Sequence, residues 1–303
     1  MNDDTSKALP LSCGEAETFR ARVVPMKNGK VFLSFADVPA SMALDEVVER
    51  VKSLNKKGVV LHSCDRATAE ALAPKRNRML VSYSAEIRIR GYKMPQKARN
   101  LVRRGAKECD VFEAAINAEN AERFDAIDDA RRAPGSPKLE GVFRTRFIDA
   151  HRAYVATLKT TSEWTAVITL TRYGQGRWHV EQLARHPEAP VGVMEQLIGH
   201  AIDKLGAEGA EVLNLGGVPL SYPEQDGKVI GIERFSLRDH AIRGISGALG
   251  NIAARRYNIK GLHQFKAKFN PHWEPRYLVG TRGLSLHDVY LMSKATGITG
   301  LTK

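Results

Sequence analysis

The chain has 303 residues, 43% of them hydrophobic, which is enough to bury two cores of ordinary size and excludes a disordered or fibrous protein. Lys and Arg number 46 against 34 Asp and Glu, a formal charge of +12 that favours polyanionic partners such as nucleic acid or anionic lipid without choosing between them or an ordinary basic enzyme. No apolar run approaches the roughly 20 residues of a membrane helix. Residues 1–7 lack the layout of a secretory signal, and Cys13, Cys64 and Cys109 form no CxxC pair, so the sequence predicts a cytoplasmic protein with reduced thiols and no zinc site.

In chain order, residues 19–35 read as two strands around an Asn28-Gly29 turn. Leu44, Val47, Val48, Val51 and Leu54 recur at helical spacing, and residues 59–62 form a buried strand. A short helix over 67–72 follows, and the alternation of Val81, Tyr83, Ala85, Ile87 and Ile89 suits one long or two short strands. Residues 95–110 predict a helix opened by Pro95, with Lys97, Arg99, Arg103, Arg104 and Lys107 on its polar face. That face suits phosphate groups, and a solvated helix face reads the same way. Beyond it come a strand at 111–113, a helix over 117–132, a Pro-Gly-Ser-Pro break, a helix over 139–151 and strands over 153–160, 164–172 and 178–185. Met194, Leu197, Ile198, Ala201, Ile202 and Leu205 then mark a helix, closed by Gly206 and Gly209, and a strand at 211–215 ends in Gly216-Gly217. This order, β-α-α-β-β-β-α-β, is that of the GNAT acyltransferase fold, and the expected class is α/β with tandem GNAT-type lobes. The lobes are placed at residues 19–106, a degenerate one, and 107–303, the catalytic one, after a flexible stretch at 1–18.

In such a fold the strand before the central helix parts from its neighbour, and the helix N-terminus offers unpaired N–H groups to an acyl donor. Here the loop over 186–192 holds Pro187, Pro190 and Glu188, a poor cradle for the pyrophosphate of coenzyme A. Near the C-terminus, Lys266, Lys268 and Arg276 interleave with Phe265, Phe269, Trp273 and Tyr277, which suits phosphate neutralisation and base stacking, or an aromatic core with cations reaching past it to water.

Three stretches, Gly261 to Leu278, Asn214 to Ser221, and Gln182 to Glu195, with the segment Ser84 to Arg88 and the basic helix before them, resemble the soluble C-terminal domain of the lysylphosphatidylglycerol synthases, the multiple peptide resistance factors. The resemblance covers nearly all of the chain after Phe19. It implies a tandem GNAT fold in which aminoacyl-tRNA, a co-substrate with no metal or redox cofactor beside it, donates its amino acid to a lipid hydroxyl. The multi-helix membrane domain of the best-known members is missing from this sequence, which argues against phosphatidylglycerol as the acceptor and leaves open a hydroxyl or amine acceptor, a lipid reached from the membrane surface among them. The family's Asp-x-x-Arg on the strand before the central helix reads here as Gln182 and Arg185, without the acid.

Within that frame the candidate catalytic residues are Arg185, for a phosphate or the developing oxyanion, Glu181, as base or ligand of the donor's α-amino group, and Gln182. Strand alternation places Glu181 and Gln182 on opposite faces. Asn214, Ser221, Lys266, Lys268 and Arg276 are the candidate substrate-binding residues, with Lys97, Arg99, Arg103, Arg104 and Lys107 for tRNA. His186, Glu195 and Glu233 stand nearby in the sequence. Two other classes stay open: an acyl-CoA-dependent acyltransferase, and a non-catalytic protein that binds tRNA or an anionic membrane.

Overall fold

Apolar residues alternate on either side of Asn28 and Gly29, and there the chain turns. In a computed structural model, which describes residues 11–14, 18–132, 144–219, 224–225, 228–229 and 259–296, β2 (Arg20–Pro25) and β3 (Val31–Pro39) form an antiparallel hairpin. Gly29 takes φ +82° at the turn, the left-handed region where an L side chain is strained. A short β1 (Leu11–Gly14) lies parallel to β3. Helix α1 (Leu44–Ser53) buries Val47, Val48 and Val51, with Asp45 and Glu46 in its first turn and Arg50 and Lys52 in its last, each sign matched to the helix dipole. Then come β4 (Val59–Cys64), α2 (Arg66–Leu72), capped by the Asp65 side chain, and β5 (Arg78–Arg88) as one long strand.

Helix α3 (Gln96–Glu108) follows Pro95 and buries only Ala98 and Gly105. β6 (Cys109–Ala114) leads to α4 (Ala118–Arg131), whose cap is the Asn117 side chain accepting from the Asn120 N–H at 2.9 Å. The helix expected over 139–151 is not the conformation of its second half. Residues 133–143 lie outside the described residues, and from 144 onward the chain holds only a 3₁₀ turn at Phe147–Asp149, with Phe147 buried against Phe124. β7 (Arg152–Leu158), β8 (Trp164–Gly174) and β9 (Arg177–Arg185) form an antiparallel meander, followed by α5 (Val193–Ala207) and β10 (Val212–Pro219). β11 (Glu224–Gln225) and β12 (Lys228–Val229) make a small separate ladder. The motif from Gly261 to Leu278 divides into α6 (Ile259–Ala267) and β13 (His272–Gly280), and α7 (Leu286–Ala295) closes the described chain behind a Ser285–Asp288 capping box.

Apart from that ladder, the described strands form one mixed sheet in the order β1-β3-β4-β13-β5-β10-β9-β8-β7-β6, with β2 added on β3. The chain from residue 107 onward therefore does not stay in one half. β13 returns to lie between β4 and β5, and α7 packs on Met26, Phe32, Val60 and Met79 of the N-terminal half. One surface of the sheet carries α3 and α5 over the core of Ala85, Ile87, Ile168, Leu197 and Leu213. Val47, Val51 and Leu72 of α1 and α2 pack with Leu33 and Leu61, while Phe124 and Ile127 of α4 pack with Val155 and Val167. The sheet curls enough for β1 to touch β8. The arrangement is mixed α/β, with helices packed on a single mixed sheet. Among the described residues no helix is long and apolar enough to cross a membrane.

Candidate active site

The β9-α5-β10 unit sets the site. Its two strands are parallel and pair over only three rungs, Val212 with Arg177, Leu213 with Trp178 and Asn214 with His179. Beyond Asn214 they part, β9 continuing along β8 and β10 along β5. A bulge in β10 between Asn214 and Gly217 turns the strand away, and Gly216 sits in it at φ +87°. The strand expected to end at Gly216-Gly217 thus runs on through a bulge to Pro219. A Cβ at Gly216 would lie 3.3 Å from both His179 Nε2 and Lys266 Nζ and 3.6 Å from the Val180 carbonyl oxygen, so these groups converge on the gap where the strands separate.

A buried polar network runs from this gap across the sheet. Glu86, from the polar edge of β5, accepts from Arg276 Nη2, from Asn214 Nδ2 at 3.0 Å, from the Tyr173 hydroxyl at 3.4 Å and from Arg177 Nη2 at 3.5 Å. Arg276 Nε also donates to Ser84 Oγ at 2.6 Å. Burial, with the Glu86 charge alongside, pushes the Tyr173 phenol well above its ordinary range. On the other side of Tyr173, His179 Nδ1 lies 3.4 Å from Glu181 Oε1, and Arg144 Nε is 3.9 Å from the same oxygen. Arg144 reaches on to Asp37 of β3 at 2.9 Å and lies over the Phe35 ring at 4.2 Å, linking β9 to the N-terminal half. Burial alone would raise the Glu181 carboxyl, but His179, Arg144 and Thr171 together hold it below its ordinary value.

One expectation about this strand is corrected. Glu181 and Gln182 are not on opposite faces, because β9 bulges between Val180 and Gln182 and the extra residue rotates. Both side chains meet Arg144: Glu181 its guanidinium, and Gln182 its backbone carbonyl, to which the amide donates at 3.0 Å. Arg185 stands at the exposed end of β9, without an ion pair among the described residues.

Of the three C-terminal cations, read as phosphate ligands or cations reaching to water, Arg276 and Lys266 are turned inward and Lys268 is half-buried. Arg276 and Lys266 are 2% and 3% exposed, and Lys266 donates to the Gly217 carbonyl at 2.9 Å. Burial lowers its pKa to about 7. Lys268 pairs with Glu195 in the first turn of α5 at 2.8 Å and lies over the Phe265 ring. Asn214 is fully buried, holding Glu86 with its amide and the Gly216 N–H with its carbonyl oxygen at 2.7 Å. His186 accepts from the Glu188 N–H at 3.3 Å, a local turn. Ser221 and Glu233 lie outside the described residues.

Helix α3 lies against the first turn of α5. A Cβ at Gly192, φ +95°, would come within 2.1 Å of the Leu101 carbonyl oxygen, and one at Gly105 within 2.8 Å of the Gly192 backbone. This close approach leaves Lys97, Arg99, Arg103, Arg104 and Lys107 exposed on the outer side of α3. Arg99 donates to Gln96, and the other four have no ion pair among the described residues. Glu86, Arg144, His179, Tyr173 and Arg177 were not singled out by sequence. Glu86 had a signal: Ser82, Ser84 and Glu86 form the polar register of a strand whose other register is apolar. Arg144 had none, since its partners lie on β3 and β9.

No curated protein matches this sequence. Among solved structures, L-PGS from Bacillus licheniformis superposes with a TM-score of 0.62 at 17% identity, covering 93% of this chain and 90% of that one. The C-terminal domain of a putative lysylphosphatidylglycerol synthetase from Agrobacterium fabrum gives a TM-score of 0.61 at 16% identity, covering 92% and 88%. At these identities the two show the fold. The sequence pattern of the family described as phosphatidylglycerol lysyltransferase, C-terminal, matches residues 40–280. The chain therefore belongs to the phosphatidylglycerol lysyltransferase C-terminal family, and it is an acyltransferase of a kind that acts on lipid.

Proposed function

We propose that the chain moves an aminoacyl group from charged tRNA to a hydroxyl of a lipid at the surface of a membrane. The observation that carries this reading is the placing of α3. Its exposed cations stand beside the first turn of α5, at the end of the sheet where β9 and β10 part. Ligands of α/β sheets bind outside the carboxyl ends of the strands, so an acceptor stem lying on α3 would direct its 3′ end at the gap. Lys97, Arg99, Arg103, Arg104 and Lys107 would meet its phosphates. Arg185, exposed at the end of β9, would hold the phosphate nearest the ester or the oxyanion that develops on it. Glu181, kept ionised by His179 and Arg144, would bind the donor's α-ammonium group, and Gln182 and Asn214 would hold the site's backbone in place.

A coenzyme A donor fits less well. Its pyrophosphate would have to share the first turn of α5 with the carboxylate of Glu195 and with the backbone of α3. The ester of aminoacyl-tRNA is already activated, so what is needed is positioning and proton removal, and the side chains of this site suit both. The test is to incubate purified protein with tRNA charged with radiolabelled amino acids and a total lipid extract. Label is expected in the organic phase, and single amino acids then name the donor. Label that stays on tRNA while coenzyme A binds saturably would overturn the reading.

A further inference from the structure

We propose that Lys266 is the proton acceptor of the transfer, the side chain that takes the proton from the acceptor hydroxyl in the gap between β9 and β10. This rests on the aminoacyl-tRNA reading above and adds a catalytic group to it. Lys266 comes from α6 and ends between the two parting strands, its Nζ beside the bare Cα of Gly216 and opposite His179 Nε2. One of its N–H groups is held by the Gly217 carbonyl. The position is unusual for a lysine because the carboxylates around it are engaged: Glu86 by Arg276 and Arg177, Glu181 by His179 and Arg144, and Glu195 by Lys268. On α6 itself His263 stacks on Trp273, and β9 contributes His179. Among the described residues no carboxylate holds Lys266 as an ammonium, and burial favours the free amine at neutral pH.

A free amine in that gap is suited to one step. The acceptor O–H bond breaks and its proton goes to Nζ. The acceptor oxygen bonds to the ester carbon, the bond from that carbon to the ribose oxygen breaks, and the ribose oxygen leaves with the proton that Nζ returns. Charge and protons balance without a further reactant. Gly216 keeps the approach open, since any side chain there would crowd Nζ and His179.

The test compares wild type with Lys266→Arg, Lys266→Met and Lys266→Ala in single-turnover transfer of label from charged tRNA to lipid across the neutral pH range. Binding of charged tRNA is measured in parallel to show that each variant is folded. Wild type is expected to speed up as pH rises through neutrality. Arg, always protonated, and Met should each lose about 100-fold or more. Small primary amines should restore part of the Lys266→Ala rate in proportion to their basicity, which a structural role would not produce. Variants that bind tRNA and keep both the wild-type rate and its pH limb would overturn the inference alone. Wild type that binds tRNA and transfers nothing would overturn the parent reading with it.

Discussion

Four donors converge on Glu86, and the strongest of them, Arg276, comes from 190 residues further along the chain. Removing one partner of such a pair leaves the other charge buried, so Arg276→Met is expected to lower unfolding free energy by about 3–5 kcal/mol in denaturant titration. Adding Glu86→Gln should recover part of that loss, and strictly additive losses would show that the pair is not coupled. Lys266 makes a second prediction at this scale. Its pKa falls from 10.5 to about 7 on folding, so between those values the unfolded chain binds the extra proton. Its penalty is fully present below pH 7 and is relieved as pH rises, so stability gains up to about 1.4 kcal/mol per pH unit within the window. Lys266→Met should remove that slope, and an unchanged slope would show that Lys266 titrates normally. Composition shows Lys266, Lys268 and Arg276 as cations among aromatics, which surface residues also are. The burial of Arg276 and Lys266 and the pairing of Lys268 depend on Glu86, Gly217 and Glu195, which no local pattern links to them.

The elements are more legible than the contacts. Val47, Val48 and Val51 at helical spacing, Asn117 ahead of α4, and the β-branched runs of β7 to β9 each announce their element, because a helix or strand with one buried face must repeat at its own period. β13 is hidden because Glu274, Pro275 and Arg276 interrupt its apolar pattern; Arg276 is there for the buried network, while Glu274 meets His272 at the half-exposed start of the strand. The bulge in β9 is equally silent, and it decides that Glu181 and Gln182 act on one side. Two predictions belong to α3. Gly192→Ala should destabilise by more than the about 1–2 kcal/mol that a left-handed residue costs by itself, because the new Cβ meets the Leu101 carbonyl oxygen. Thermal unfolding of that variant close to wild type would show that α3 yields there. Reversing Arg103 and Arg104 to Glu should weaken tRNA binding and flatten its dependence on log salt, by nearly one counterion for each phosphate no longer neutralised. An unchanged slope would place tRNA on another surface.

Across the whole molecule, the order β6-α4-β7-β8-β9-α5-β10 is readable, apart from the helix expected over 139–151, because that stretch folds on itself in sequence order. The closing of the sheet was not readable, since it depends on β13 returning between β4 and β5 and on Arg144 joining β9 to β3. The consequence is a polar network drawn from both halves of the chain: Asp37 and Glu86 from the N-terminal half, and Arg144, His179, Glu181 and Arg276 from the C-terminal half. This site is proposed to join a tRNA donor to a lipid acceptor. The most direct measurement is single turnover with protein in excess over tRNA carrying a labelled amino acid, in the presence of lipid vesicles, for wild type and for Arg185→Ala. Wild type should move one equivalent of amino acid into lipid for each one released from tRNA, and Arg185→Ala should bind the tRNA yet leave its ester intact. Loss of label to water alone, or equal transfer by Arg185→Ala, would contradict the account.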